Sequence, residues 1–103
     1  MKNFIYRHEG DFGFLTFFGD ITADREDELR EALSMSIHHS ERLVVNFKRV
    51  TKLDAYCLQQ ICIAHRIARK MKKRLVLIGH YTEIFRRAAQ EAGYTGHLGC
   101  VMN

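Results

Sequence analysis

Three short runs rich in β-branched and aromatic residues, each followed by a stretch at helical spacing, constrain this chain more than any other feature. The runs are Phe12 to Phe18, Leu43 to Phe47 and Leu75 to Ile78. After the first, Leu29, Ala32, Leu33, Ser36 and Ile37 recur at intervals of three and four, the period of one buried helix face. Thr22 stands as the N-cap of that helix, with Asp24, Glu26, Asp27 and Glu28 crowding its positive end. It should end near His38-His39-Ser40. After the second run, Asp54 caps a helix whose inner face carries Leu58, Ile61, Cys62, His65, Ala68 and Met71. After the third, Thr82 caps a helix from Glu83 to Ala92, and Gly93 falls where a left-handed C-cap residue belongs.

An alternating segment, Phe4 to His8, precedes these runs and turns at Glu9-Gly10-Asp11. It predicts a hairpin whose second strand, Phe12 to Phe18, is buried on both faces. Leu98 to Met102 reads as a final edge strand. The expected architecture is an α/β fold. An N-terminal hairpin leads into β-α-β-α-β-α-β, with a mainly parallel sheet and helices packed on it.

At 103 residues the chain reads as one domain, residues 1–103, large enough for a proper core. The longest apolar runs are too short to span a bilayer, and the start, MKNFIYRHEGD, has no leader-like apolar segment. Three cysteines without paired spacing suit a reducing compartment. A cytoplasmic location is the expectation. Among motifs with a known mechanism there is no phosphate-cradling glycine loop, no Gly-x-Ser-x-Gly elbow and no Cys-x-x-Cys. The expectation is therefore a protein that is not an enzyme and needs no cofactor.

In sheets of this kind sites gather at the carboxyl ends of strands and the helix N-termini beside them, which singles out Lys48 to Cys57. The stretch VVNFKRVTKLDAYCLQQI resembles the hallmark segment of STAS domains, the fold shared by bacterial anti-sigma factor antagonists and the cytoplasmic tails of sulfate transporters. Val50 and Thr51 fall on the family's Val-Thr pair, Asp54 on its Asp, and Leu58 on the Leu that follows its glycine. LTFFGDITADREDELREAL and RLVLIGHYTEIFRRAAQEAGY resemble the flanking elements in the same order. The resemblance covers nearly the whole chain.

The departures are specific. Asn46 stands where the family commonly has Asp. Ala55 and Tyr56 replace two serines, the second of which is phosphorylated in sporulation-type antagonists, and Cys57 replaces the glycine. The resemblance implies a non-catalytic regulatory module that binds a protein partner, namely a kinase-like anti-sigma factor or another signalling protein. The docking rim would be Thr51, Asp54, Ala55, Tyr56, Cys57 and Leu58. The phosphosite at Ala55 and Tyr56 is degenerate, so the usual serine switch is not expected. An alternative is a STAS subunit of a membrane assembly that transports a lipid or an anion, touching the membrane only through that complex.

Each candidate also has a plain structural reading. Asp54 is an N-cap. Tyr56 either packs into a groove or anchors a partner. Cys57, near a helix N-terminus, is either a redox thiol, which would be a second alternative function, or a small buried residue. Cys62 and His65 share a helix face, but a metal site needs two more ligands and none is suitably spaced; no metal is expected. The net charge of +4 concentrates at Arg66, Arg69, Lys70, Lys72, Lys73 and Arg74. These cations suit a helix C-terminus, an acidic partner or an anionic membrane surface. No aromatic residues interleave with them to stack bases, so direct nucleic-acid binding is not expected. Asp24, Glu26, Asp27, Glu28 and Glu31 could meet this basic patch in a second copy, which makes a homodimer a further reading.

Overall fold

The computed structural model describes residues 3–79 and 82–93. Four strands, β1 (Phe4–Glu9), β2 (Phe12–Ile21), β3 (Arg42–Leu53) and β4 (Arg74–Ile78), lie in the order β1-β2-β3-β4. β1 pairs antiparallel with β2, whereas β2 with β3 and β3 with β4 are parallel. The helices are α1 (Glu26–His39), α2 (Ala55–Lys70) and α3 (Glu83–Glu91). Hairpin, crossovers and helices appear in the expected order. The expected last strand, Leu98 to Met102, lies outside the described residues.

The two parallel crossovers, β2-α1-β3 and β3-α2-β4, both step in the same direction across the sheet. With one hand of crossover, α1 and α2 must therefore share a face. Burial follows from that: Leu15, Phe17, Leu43, Val45, Phe47, Leu75 and Leu77 are buried against the helices. Phe14, Thr16 and Phe18, which alternate with them on β2, stay only half-buried. The second strand is thus buried on one face, not on both. The run Phe12 to Phe18 carries aromatic residues on both faces because its outer face holds the half-covered rings of Phe14 and Phe18. Phe12 and Phe14 lie in the same rows as Arg42 and Arg7, whose guanidinium groups sit 5.5 and 5.4 Å from the ring centroids.

On the covered face, Phe17 stacks on Phe47 with ring centroids 5.3 Å apart, and Phe85 of α3 tilts onto Phe47 at 5.5 Å. The inner face of α1 is the one expected, Leu29, Ala32, Leu33, Ser36 and Ile37. That of α2 is Cys57, Leu58, Ile61, Cys62, Ala64, His65 and Ala68. Met71 differs from expectation: it is the exposed C-cap of α2, four residues after the exposed Ile67 and so on the outer side of the helix, which ends at Lys70 before Lys72 turns left-handed at φ 60°. Gly93 closes α3 with φ +90°, the conformation a helix C-cap glycine supplies at least cost.

Two boundaries also differ. β3 runs to Leu53, six residues beyond Phe47. β2 likewise continues to Ile21, and two register shifts, at Thr16/Phe18 and Gly19/Asp20, keep it paired with Arg49 to Leu53. The polar run KRVTK is thus strand rather than loop, and only Asp54 separates β3 from α2. At the other boundary, Thr22 caps a short 3-10 turn, Ala23–Arg25, before α1 begins at Glu26. Its hydroxyl makes no cap bond and engages the Asp24 carboxylate instead.

Candidate functional site

Because β3 runs straight into α2, the N-terminus of α2 sits at the carboxyl edge of the sheet. Asp54 holds it there. Its Oδ1 accepts from the Cys57 backbone N–H at 2.9 Å, and its carbonyl accepts from Leu58 N–H at 3.2 Å. The expected N-cap is present, and the same carboxylate does more. Oδ2 accepts from the Ala23 N–H at 2.7 Å, while the Asp54 N–H donates to Ile21 carbonyl at 3.3 Å. One side chain therefore ties the start of α2 to the turn that leads into α1.

The expected rim residues separate by exposure. Thr51 is exposed on β3, and its Oγ1 donates to Asp20 Oδ1 at 2.7 Å. Ala55 is half-buried in the first turn of α2, with Asp54. Tyr56 is 45% exposed. Its phenol is held above the ordinary tyrosine range, first by a hydrogen bond to the Glu26 carboxylate and then by the charge of Glu26. At neutral pH the hydroxyl keeps its proton and donates to Glu26, which links the start of α2 to the start of α1. Cys57 and Leu58 are fully buried beneath this rim. They support its shape and offer no surface to a partner. The link between Tyr56 and Glu26 has no local sequence signal.

Burial pushes the Cys57 thiol up to about 12, with a hydrogen bond to Asp54 and the charges of Asp54, Glu26 and Asp24 adding to it. A helix N-terminus alone would lower this value, but here desolvation and the acidic surroundings outweigh the dipole. The thiol is therefore protonated at neutral pH and a poor nucleophile. Native Cys57 should resist alkylation by a maleimide and react promptly once the chain is unfolded. Rapid native modification at neutral pH would contradict this placement. The linkage has a definite sign. The folded value lies above the ordinary value near 9, so the unfolded thiol ionises first and stability is lost as pH rises from about 9 toward 12.

The basic residues do not act as one group. Lys73 Nζ donates to the Ile37 and His38 carbonyls at 2.7 and 3.2 Å, so it caps the C-terminus of α1. Arg66, Arg69, Lys70, Lys72 and Arg74 remain exposed. Cys62 and His65 both lie in the core, and no group of three or more possible metal ligands occurs among the described residues. No helix among the described residues is long and apolar enough to cross a membrane.

Comparison with known families decides what this arrangement is. The family model described as "Mlab, STAS domain" matches residues 5–99. The chain belongs to the STAS domain family. No curated protein is a significant sequence match. Among solved structures, the anti-sigma factor antagonist SpoIIAA in its unphosphorylated form superimposes with a TM-score of 0.70 at 17% identity, covering 88% of this chain and 81% of that one. The phosphorylated form of SpoIIAA, described as a Bacillus cell fate determinant, superimposes with a TM-score of 0.68 at 17% identity, covering 88% and 84%. At that identity the likeness is one of fold: the four-stranded, mostly parallel mixed sheet and three helices of the described residues match the fold of SpoIIAA.

Proposed function

We propose that this STAS domain is a non-catalytic regulatory module that docks a kinase-like anti-sigma factor, or a related signalling ATPase, through the rim Thr51, Asp54, Ala55 and Tyr56. The observation that carries the reading is Tyr56. A large amphipathic side chain stands half-exposed at the N-terminus of α2, beside a cap that fixes the backbone around it. Aromatic residues in such settings supply much of the energy of protein interfaces. The fold shared with an anti-sigma factor antagonist supports the same partner class.

The rim lacks a hydroxyl at Ala55, and the phenol of Tyr56 is carried well away from the backbone and engaged by Glu26. Phosphoryl transfer needs the acceptor oxygen in line with the leaving group. A kinase shaped for a serine at this place would not hold Tyr56 correctly, so binding is set by partner concentration or by control elsewhere in the chain.

A second reading rests on the exposed cations Arg66, Arg69, Lys70, Lys72 and Arg74. They suit a subunit of a membrane transport assembly that faces anionic headgroups through the complex. Calorimetric titration into a histidine-kinase-like ATPase separates the two readings. Saturable binding at low salt and at physiological salt is expected. Absence of binding there, together with association to a transporter ATPase, would move the assignment to the second reading.

A further inference from the structure

We propose that the α1–α2 face is an interface between two copies of this chain, which pair antiparallel about a two-fold axis. The proposal goes beyond the rim reading and rests on a surface that shares only Tyr56 with it. α2 presents Tyr56, Gln60, Ile63 and Ile67 at alternating spacings of four and three, the spacing of a coiled-coil seam. Ile63 and Ile67 are each 45% exposed, and Met71 extends the stripe at 38%. Ile63 and Ile67 also wall a groove of about 150 Å³ between the helices, which is lined on the α1 side by Leu33, Ser34 and Ile37 and edged by Arg30 and His38. The stripe is thus one wall of the groove, and the same stripe on a second copy supplies aliphatic side chains of a size to enter it. Two-fold pairing satisfies both at once.

Charge selects the occupant and its direction. α1 and α2 run in the same direction: Asp54 binds the Ala23 N–H at their N-terminal ends, and Lys73 reaches the Ile37 and His38 carbonyls at the other. The N-terminal ends of the two helices are acidic on balance, with Asp24, Glu26 and Asp27 outnumbering Arg30, which binds Glu26 and Asp27 at 2.7 Å each, and the C-terminal end of α2 sets Arg66 and Lys70 beside the stripe. A parallel pair would set like charges together. An antiparallel pair lays each acidic end on the partner's basic end, with Asp27 facing the Lys70 region in both copies. A helical peptide of one charge would match only half of the face.

The area sets the strength. α2, at 16 residues, is about 24 Å long and a helix pair about 20 Å wide. The face is thus on the order of 500 Å² per copy, below the roughly 800 Å² of a standard stable interface. The dimer is therefore weak and concentration-dependent. Since Tyr56 ends the stripe, dimerisation also covers the rim, and self-association competes with partner docking.

Sedimentation velocity of the full chain, from low micromolar to high micromolar concentration, tests this without any partner. The weight-average mass should rise from the 12.0 kDa protomer toward twice that value. Ile67→Asp, a change at an exposed position, should keep the native circular dichroism and stay monomeric throughout. Asp27→Lys and Lys70→Glu should each weaken the dimer roughly five- to tenfold, because two symmetric ion pairs become repulsive, and the double variant should recover it. A wild-type chain that stays monomeric overturns the proposal. So does an Ile67→Asp variant that self-associates like wild type, or a double variant no better than the singles. A groove that binds the kinase-like ATPase through Ile67 but never a second copy overturns it too, while leaving the docking reading of the rim intact.

Discussion

Phe47→Ala should destabilise the domain by about 3–5 kcal/mol, the largest effect expected of any single truncation here. Phe47 is 1% exposed and lies between Phe17 of β2 and Phe85 of α3. Removing the ring deletes its own burial and also the surface on which α3 is seated. Neighbours on a sheet cannot collapse into the void, since strand spacing is fixed by backbone hydrogen bonds. For a domain of this size the loss corresponds to a fall in Tm on the order of 15–30 °C. Urea unfolding followed by circular dichroism checks it, with an unchanged m-value showing that the native fold persists. Val76→Ala, at a position 46% exposed on the open face, is the control and should cost under about 1 kcal/mol. A Phe47→Ala cost as small as that would mean α3 is not anchored through this ring.

Tyr56→Ala should weaken binding of a kinase-like partner by about 2 kcal/mol or more, roughly 30-fold, without unfolding the chain. The side chain is 45% exposed, and alanine favours a helix. The variant also loses the bond to Glu26, so Tyr56→Phe is needed beside it. The ring alone should retain most of the affinity if apolar contact dominates. If Tyr56→Phe is as weak as Tyr56→Ala, the hydroxyl and its alignment by Glu26 carry the interaction. If both bind like wild type, the residue is a surface ring with no part in docking, and the rim reading fails at its centre.

Much of this was legible in the sequence, and the rest has identifiable reasons. Helical spacing marked the inner faces of α1 and α2 because burial on a helix repeats with the backbone period; it failed at Met71, which follows the exposed Ile67 by four residues on the outer side of α2. The length of β3 was hidden because Lys48, Arg49, Thr51 and Lys52 face outward. Val50 and Leu53, the buried residues among them, are three apart, a spacing that the register shifts of β2 impose and that no simple alternation shows. Asp54 was visible as a cap from its place before an apolar periodic run. Its second bond, to Ala23 N–H thirty-one positions away, is a product of topology, as is the contact of Tyr56 with Glu26. The substitutions at Ala55 and Tyr56 were plain in the sequence. Only the fold shows that the Thr51 hydroxyl lies on a strand and already donates to Asp20.

The central claim is a docking rim with no phosphorylation switch at the start of α2. Incubation with the kinase-like partner and ATP, read by intact mass and by the amount of complex remaining, tests it most directly. The expected result is an unmodified mass and a complex that persists in ATP, whereas the Ala55→Ser, Tyr56→Ser double variant gains one phosphate and dissociates. A stoichiometric phosphate on Tyr56 or Thr51 of the unaltered chain, with loss of the complex, would contradict the account.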